Sequence, residues 1–238
     1  EALRMEVIDD IGVGAIIKRS GGGSLIVAAR GGVHLAWYDR FADFLHGLER
    51  GASRLPRWMP RVVAASIGTL LGLIDPTWVV GDLGCGTGAL TARITPFARR
   101  TIGIDRSPAM LSTAQARLCD MESVELRCGE LESLPIPDQE LDLAILALVL
   151  HYIVDPRKVL SEVRRTLTPG GRVLVLDMRR HDRGASFSQN MGHVWPGFEF
   201  EQLEAWLTNE NFSSIRFHEL TPDPEASGPL LFLASASA

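Results

Sequence analysis

The sequence is short of cysteine, of net positive charge and of long apolar runs, and each shortage removes a class of function. Its 238 residues contain three cysteines, Cys85, Cys119 and Cys128. None stands in a CxxC pair, so neither a disulfide framework nor a zinc knuckle is expected, and a reducing, cytoplasmic setting fits best. The formal charge is −5, which gives no electrostatic reason to expect non-specific binding to nucleic acid or to an anionic membrane. The longest apolar stretch, residues 62–74, is interrupted by Ser66, Gly68, Thr69 and Gly72 and falls short of the ~20 residues that span a bilayer. No membrane partner is expected. Glu1 stands where an initiator methionine would, and no basic-then-apolar leader precedes a small-residue cleavage site. A fragment or a processed chain is therefore expected rather than a secreted precursor, and an N-terminal domain upstream is left open.

What is present is enough for a folded body. At 46% hydrophobic the chain can bury one sizeable core, so one principal domain with a small appendage is expected. Residues 1–32 stand apart: Gly12, Gly14, Gly21, Gly22, Gly23, Gly31 and Gly32 punctuate two apolar runs, Ala15-Ile16-Ile17 and Leu25-Ile26-Val27. The Lys18-Arg19-Ser20-Gly21-Gly22-Gly23 connection reads as a hairpin turn, with a loose tail as the alternative. Trp37, Phe41, Phe44, Leu45 and Leu48 then recur at helical spacing, and a second helix is expected from about 60 to 74. Residues 33–76 are thus read as a helical segment covering the cleft of the body that follows.

From residue 77 the pattern alternates. Strand-like runs at 78–83, 101–104, 124–127, 141–146 and 172–177 are separated by helical segments near 89–97, 108–118 and 156–167. Short, nearly all-apolar strands alternating with helices indicate an α/β domain with a parallel sheet covered on both faces. Pro169-Gly170-Gly171 is read as stopping a helix and turning the chain into the next strand. The end of the chain departs from alternation, with a helix at 199–210 and strands at 214–220 and 230–234, which form a terminal antiparallel hairpin at the sheet edge.

Val79-Val80-Gly81-Asp82-Leu83-Gly84-Cys85-Gly86-Thr87-Gly88 joins the first of these strands to a helix. A glycine-rich turn in that place lets backbone approach a ligand that a Cβ would block and delivers the ligand to the carboxyl ends of the strands. The glycines alone do not choose the ligand, because Gly84-x-Gly86-x-x-Ala89 also satisfies the dinucleotide fingerprint. Asp105 follows about 20 residues later at the end of the second strand, where a carboxylate can accept from both ribose hydroxyls of either nucleotide. Asp82 discriminates: a carboxylate beside the loop repels a pyrophosphate and suits a cationic methionyl group. That argues against a nicotinamide-dependent oxidoreductase.

Asp82-Leu83-Gly84-Cys85-Gly86-Thr87-Gly88 and Gly103-Ile104-Asp105-Arg106-Ser107-Pro108-Ala109-Met110-Leu111 resemble the first two motifs of class I S-adenosylmethionine-dependent methyltransferases, of the type 11-like kind. Gly129-Glu130-Leu131-Glu132-Ser133-Leu134-Pro135, Leu141-Asp142-Leu143-Ala144, Leu150-His151 and Leu167-Thr168-Pro169-Gly170-Gly171-Arg172 match later landmarks in order. The resemblance, strongest over residues 77–180, implies a Rossmann-like fold with a mostly parallel seven-stranded sheet. It implies S-adenosylmethionine as cofactor and S-adenosylhomocysteine as product. Gly84, Cys85 and Gly86 would line the methionyl side, Asp105 would bind the ribose, and Asp82 and Gly88 complete the cofactor-binding loop. Arg106 and Met110 would flank the adenine, with Glu130 and Leu131 at its edge; Glu130 stands where family members often carry Asp. Ala147 and Leu148 would approach the methionyl group from the substrate side. Cys85 is read as a packing residue of the loop, since nothing near it in sequence lowers a thiol pKa.

Trp37-Tyr38-Asp39-Arg40-Phe41-Ala42 and Met191-Gly192-His193-Val194-Trp195-Pro196-Gly197-Phe198 look like elements of bacterial methyltransferases fused behind an ArsR-type winged-helix repressor. On that resemblance residues 1–32 are a remnant of a winged-helix wing. Nucleic acid enters as a partner only through such a domain upstream, because a hairpin alone does not fill a major groove as a helix-turn-helix does.

Methyl transfer is a displacement at a carbon already activated by positive sulfur, so the protein must align a nucleophile and exclude water. A base is optional. Tyr38, His151, His193 and Trp195 are the substrate-side candidates, and His151, directly after the fourth strand, is the candidate base because imidazole titrates near neutrality. A capping or packing histidine is the alternative. His181, Asp182 and His193 match no zinc spacing, so no metal is expected. Arsenic methylation needs several cooperating thiolates, and Cys119 and Cys128 are expected away from the cleft. The expectation is an enzyme methylating a small-molecule acceptor, quinone-like or otherwise apolar and aromatic, with a homodimer left open. The alternative is a cofactor-sensing transcriptional regulator that keeps the fold with little turnover.

Overall fold

The computed structural model describes residues 74–182, 193–220 and 229–238, together with the backbone of two strands nearer the N-terminus. The chain falls into two compact units, Glu1–Pro60 and Arg61–Ala238. In the first, β1 (Ala15–Arg19) pairs antiparallel with β2 (Leu25–Ala29), Ala15 facing Ala29 and Arg19 facing Leu25. This is the pairing the hairpin reading requires. The helices expected over 33–76 lie, up to residue 73, outside the described residues, as does Tyr38.

The second unit is built on a seven-stranded sheet. Its strands are β3 (Val79–Leu83), β4 (Arg100–Asp105), β5 (Val124–Cys128), β6 (Leu141–Ala147), β7 (Leu167–Met178), β8 (Ser213–Glu219) and β9 (Leu231–Ser237), in the order β5-β4-β3-β6-β7-β9-β8. β3 to β7 are mutually parallel, whereas β9 runs antiparallel to both β7 and β8. β9 sits inside the sheet and alternates buried with half-buried residues, while β8 takes the edge and is mostly exposed. The terminal hairpin is therefore present, with its second strand rather than its first against the parallel part.

Sequence decides these elements in recognisable ways. All five residues of β3 are buried, as a central strand covered on both faces demands. Helix α2 (Pro108–Arg117) starts where Ser107 Oγ accepts from Met110 N–H, with Pro108 at its first position. Helix α3 (Pro156–Thr166) is capped by Asp155, which accepts from Arg157 N–H, and buries Val159, Leu160, Val163 and Thr166 at helical spacing. Helix α4 (Phe200–Asn209) buries Leu203 and Leu207 and packs against α3. Strand order moves one way from β3 to β4 and β5, and the other way to β6 and β7. Right-handed crossovers then put α2 and α3 on opposite faces.

Two local expectations are corrected. The helix expected over 89–97 is one short turn, α1 (Thr91–Ile94), followed by a 3-10 turn at Thr95–Phe97. Pro96 lacks the N–H that an α-helix would use there. Pro169-Gly170-Gly171 does not separate helix from strand: α3 already ends at Thr166, and β7 begins at Leu167 opposite Leu141. The register then jumps to Leu143 opposite Arg172, so the Pro-Gly-Gly run forms a bulge, with Gly170 at φ +79°. The core lies between sheet and helices around Phe198, Phe232, Leu83, Ile102, Leu146 and Leu160. Among the described residues, no helix is long and apolar enough to cross a membrane.

Candidate functional site

Because β3, β4, β6 and β7 are parallel, their carboxyl ends share one edge, and the order reverses between β3 and β6, where such sheets open a crevice. The glycine loop leaves β3 at this edge. Gly84 N–H and Cys85 N–H both donate to Ile104 O, at 2.8 and 2.9 Å, which turns the loop toward β4. Gly84 has φ +85°, and a Cβ there would lie 2.6 Å from Val149 Cγ2, so this glycine seats the loop against the segment after β6. Gly86 has φ +54°, but a Cβ on it would meet nothing within 4 Å. Its place borders open space. Gly88 faces α2, where a Cβ would come within 2.8 Å of Leu118 Cδ1.

Asp105 ends β4 beside that space, half-buried. Its Oδ2 accepts from Gly86 N–H at 2.9 Å and its Oδ1 from Ser107 N–H at 2.8 Å. Each oxygen keeps a further lone pair for a hydroxyl. Asp82 lies deeper, 1% exposed, with Oδ2 accepting from Thr91 Oγ1 at 2.6 Å. Burial pushes its pKa up to about 6, against the Thr91 hydrogen bonds that lower it, and Asp105 adds a smaller upward push. Two carboxylates thus stand beneath and beside the loop.

The remaining residues expected on the cofactor side gather at the same edge. Cys85 is buried, and desolvation followed by the charges of Asp82 and Asp105 pushes its thiol up to about 12. It packs near Gly103 and is not a nucleophile at neutral pH. Arg106, Met110 and Glu130 are exposed around the ends of β4 and β5, whereas Leu131 is buried. Ala147 closes β6, and Leu148 follows in the left-handed region at φ +54°, its N–H donating to Leu176 O at 2.7 Å. A non-glycine residue held there stores about 1–2 kcal/mol of strain.

On the β6–β7 side, His151 lies in a 3-10 turn, Leu150–Tyr152, and is only 3% exposed. Its Nδ1 is 2.8 Å from Asp177 Oδ1 at the end of β7. Tyr152, missed in the sequence, stacks obliquely on His151 at 4.1 Å between centroids, and His193 meets His151 edge-on at 4.5 Å and Tyr152 at 5.2 Å. Desolvation first, then His151 and His181, lowers the His193 pKa. Val194 N–H and Trp195 N–H both donate to His151 O. Trp195 Nε1 donates to Ile153 O at 2.8 Å, and its ring packs on Phe198 and Trp206, which commits it to the core. Asp177 and Thr91 were also missed. A lone acid closing an apolar run at a strand's carboxyl end was the available signal for Asp177. Among the described residues, no group of three or more His, Cys, Asp or Glu is placed to hold a metal ion.

The donor set fits a sulfonium nucleoside. Asp105 can serve a ribose diol, the open space at Gly86 admits a ligand against backbone, and two carboxylates suit a cationic moiety while opposing a pyrophosphate. Comparison with known proteins agrees. Residues 81–175 match the family described as a methyltransferase domain. A demethylmenaquinone methyltransferase of Clavibacter sepedonicus is 27% identical over 167 residues, covering 59% of this chain and 67% of that protein. An arsenite methyltransferase of Halobacterium salinarum is 32% identical over 200 residues, covering 74% and 50%. A crystal structure of an S-adenosylmethionine dependent methyltransferase from Mesorhizobium loti superposes with a TM-score of 0.64 at 21% identity, covering 74% of this chain and 98% of that one. The chain spans from 28% to 67% of the length of the curated relatives it matches. Residues 81–175 are thus similar to a methyltransferase domain, and the sheet that carries them has the class I, Rossmann-like architecture of the solved methyltransferases.

Proposed function

We propose that the chain transfers a methyl group from S-adenosylmethionine to a small, apolar aromatic acceptor of quinone-like kind. The observation that carries the reading is the pairing of the Gly84–Gly88 turn with Asp105, two features that together fit the cofactor's ribose and methionyl parts. The cofactor supplies a methyl carbon on a positive sulfur; the protein supplies alignment and exclusion of water. In this reading Asp105 holds the ribose, and Arg106, Met110, Glu130 and Leu131 surround the adenine. Leu148, strained beside the loop, presses on the methionyl side, and His151 lies on the acceptor side.

Quinone-like acceptors are favoured over arsenite. The three cysteines are one buried thiol, Cys85, and two exposed ones, Cys119 and Cys128, the first two residues beyond α2 and the other ending β5. Cys85, with its thiol pushed up to about 12, is a poor thiolate. Relatives include demethylmenaquinone and 2-phytyl-1,4-naphtoquinone methyltransferases beside the arsenite methyltransferase, so it is the thiols that decide between the two acceptors.

Calorimetry with S-adenosylmethionine and S-adenosylhomocysteine tests the cofactor, and a panel of reduced naphthoquinones with arsenite as control tests the acceptor. Binding of neither nucleoside sinks the reading. A second reading, a winged-helix regulator that senses the cofactor, is favoured by the antiparallel β1–β2 pair. It requires operator binding by the intact gene product that shifts with S-adenosylmethionine, and no methyl transfer to any of the panel.

A further inference from the structure

The buried end of β7 holds a carboxylate whose partners are unequally shared. Asp177 is 0% exposed. Its Oδ1 accepts from Met178 N–H at 2.7 Å and lies 2.8 Å from His151 Nδ1, while Oδ2 is buried with no hydrogen-bond partner. An ionised carboxylate only accepts, so Nδ1 must carry the hydrogen, and the second ring nitrogen, Nε2, is left bare in the neutral imidazole. A buried carboxylate oxygen without a partner is costly, which makes the Nδ1–H contact on the other oxygen the more needed.

The rings around His151 complete the case. His151, Tyr152 and His193 are mutually within 5.2 Å, and Tyr152 is 42% exposed, so the cluster opens outward at that ring. Burial first, then Asp177, raises the Tyr152 pKa, which keeps its hydroxyl a phenol, while His193 is held neutral by desolvation. Val194, 51% exposed, donates its N–H to His151 O and extends the apolar surface.

Resting on the methyltransferase reading above, we propose that Asp177 is a positioning residue that fixes His151 as its Nδ1–H form. Nε2 then takes the proton of a phenolic hydroxyl on a flat aromatic acceptor laid against Tyr152 and His193. The hydroxyl's proton passes to Nε2, and the electron pair left on oxygen forms the bond to the methyl carbon. The carbon–sulfur bond breaks with its pair kept on sulfur, giving S-adenosylhomocysteine, and the imidazolium then releases its proton to water. Transfer thus yields a methyl aryl ether.

The test uses the whole chain with nitrogen-15-labelled histidine, saturated with S-adenosylhomocysteine, and 2-naphthol as probe. His151 signals are identified by their loss in His151→Gln. A protonated Nδ1 with a bare Nε2 is expected, and 2-naphthol should shift that Nε2. Asp177→Leu should abolish the tautomer preference while changing S-adenosylhomocysteine affinity less than about twofold. Asp177→Asn, whose amide oxygen can still accept from Nδ1–H, should keep the tautomer. With S-adenosylmethionine, Asp177→Leu should lower kcat for 2-naphthol about tenfold or more at unchanged KM, and Asp177→Asn should restore most of it. An Nε2–H form in the wild type, an Nε2 unmoved by 2-naphthol, or no methylation of 2-naphthol overturns the proposal. If Asp177→Leu does not fold, the wild-type tautomer and Asp177→Asn decide. Failure of S-adenosylhomocysteine to bind would instead remove the methyltransferase reading itself.

Discussion

Gly86 donates its backbone N–H to Asp105 Oδ2 at 2.9 Å, tying the middle of the glycine loop to the end of β4. Ser107 N–H holds the other oxygen at 2.8 Å. One side chain therefore shapes the loop and keeps lone pairs that, in the proposed reading, a ribose diol would use. Asp105→Ala removes both roles. Its affinity for S-adenosylhomocysteine, measured by calorimetry, should fall by about 1–3 kcal/mol, the range of charge-assisted hydrogen bonds. Unchanged affinity would take Asp105 out of the ribose site.

Asp82 makes folding stability depend on pH in a defined direction. Its folded pKa, about 6, lies above its ordinary 3.8, so its contribution is fully present below 3.8 and is lost as pH rises through 6. Ionised Asp82 costs the free protein at most about 3 kcal/mol above that window, at 1.36 kcal/mol per unit. Asp82→Asn keeps an acceptor for Thr91 Oγ1 and should raise denaturant stability at pH 7.5 while flattening the fall between pH 4 and 6. The same variant should bind cationic S-adenosylmethionine more weakly, with a smaller loss for uncharged-sulfur S-adenosylhomocysteine. A variant as pH-sensitive as wild type would show that the titrating group lies elsewhere.

Gly84 and Gly86 separate two reasons for a glycine. Both have positive φ, but only at Gly84 would a Cβ collide, with Val149 Cγ2 at 2.6 Å. Gly84→Ala should therefore lower the thermal midpoint clearly. Gly86→Ala should cost about 1 kcal/mol of stability from its backbone alone and yet weaken cofactor binding at least tenfold, because its methyl enters the open space. Equal effects on both readouts in both variants would contradict this division.

The parts of this fold legible in the sequence were those set by neighbouring residues. The five apolar runs are strands because a doubly covered sheet accepts little else, and the Gly84–Gly88 turn and Asp105 were visible because their spacing follows one strand–turn–helix unit. Local punctuation misled where the fold overrode it: Pro96 shortened α1, and Pro169-Gly170-Gly171 was absorbed as a bulge in β7. His151 was read without a partner because Asp177 stands 26 positions away, near the end of β7. Only the adjacency of β6 and β7 joins them. Trp195 looked available for a ligand, yet its ring packs on Phe198 and on Trp206, and the second of these sits in α4, a separate element from the loop that holds Trp195.

Arg165 links α3 to the loop that the resemblance places at the adenine edge. Its guanidinium donates to Leu134 O, Ile136 O and Asp138 Oδ1, and it pairs with Glu162, whose Oε2 also accepts from Leu134 N–H at 2.7 Å. The fork fixes residues 134–138 from one side, and Pro135 in turn packs where a Cβ on Gly129 would lie, 2.6 Å from its Cδ. Arg165→Ala strands two carbonyls and two carboxylates. Because the side chain is one-third exposed, water recovers part of the loss, and a stability decrease of about 1–2 kcal/mol is expected. Arg165→Lys should not restore it, since an ammonium cannot reproduce the fork. If the loop does carry Glu130 and Leu131 to the adenine, Arg165→Ala should also weaken S-adenosylhomocysteine binding several-fold, although Arg165 never touches the ligand. Full affinity together with the lower thermal midpoint would show that the 129–131 segment holds its shape without the clamp.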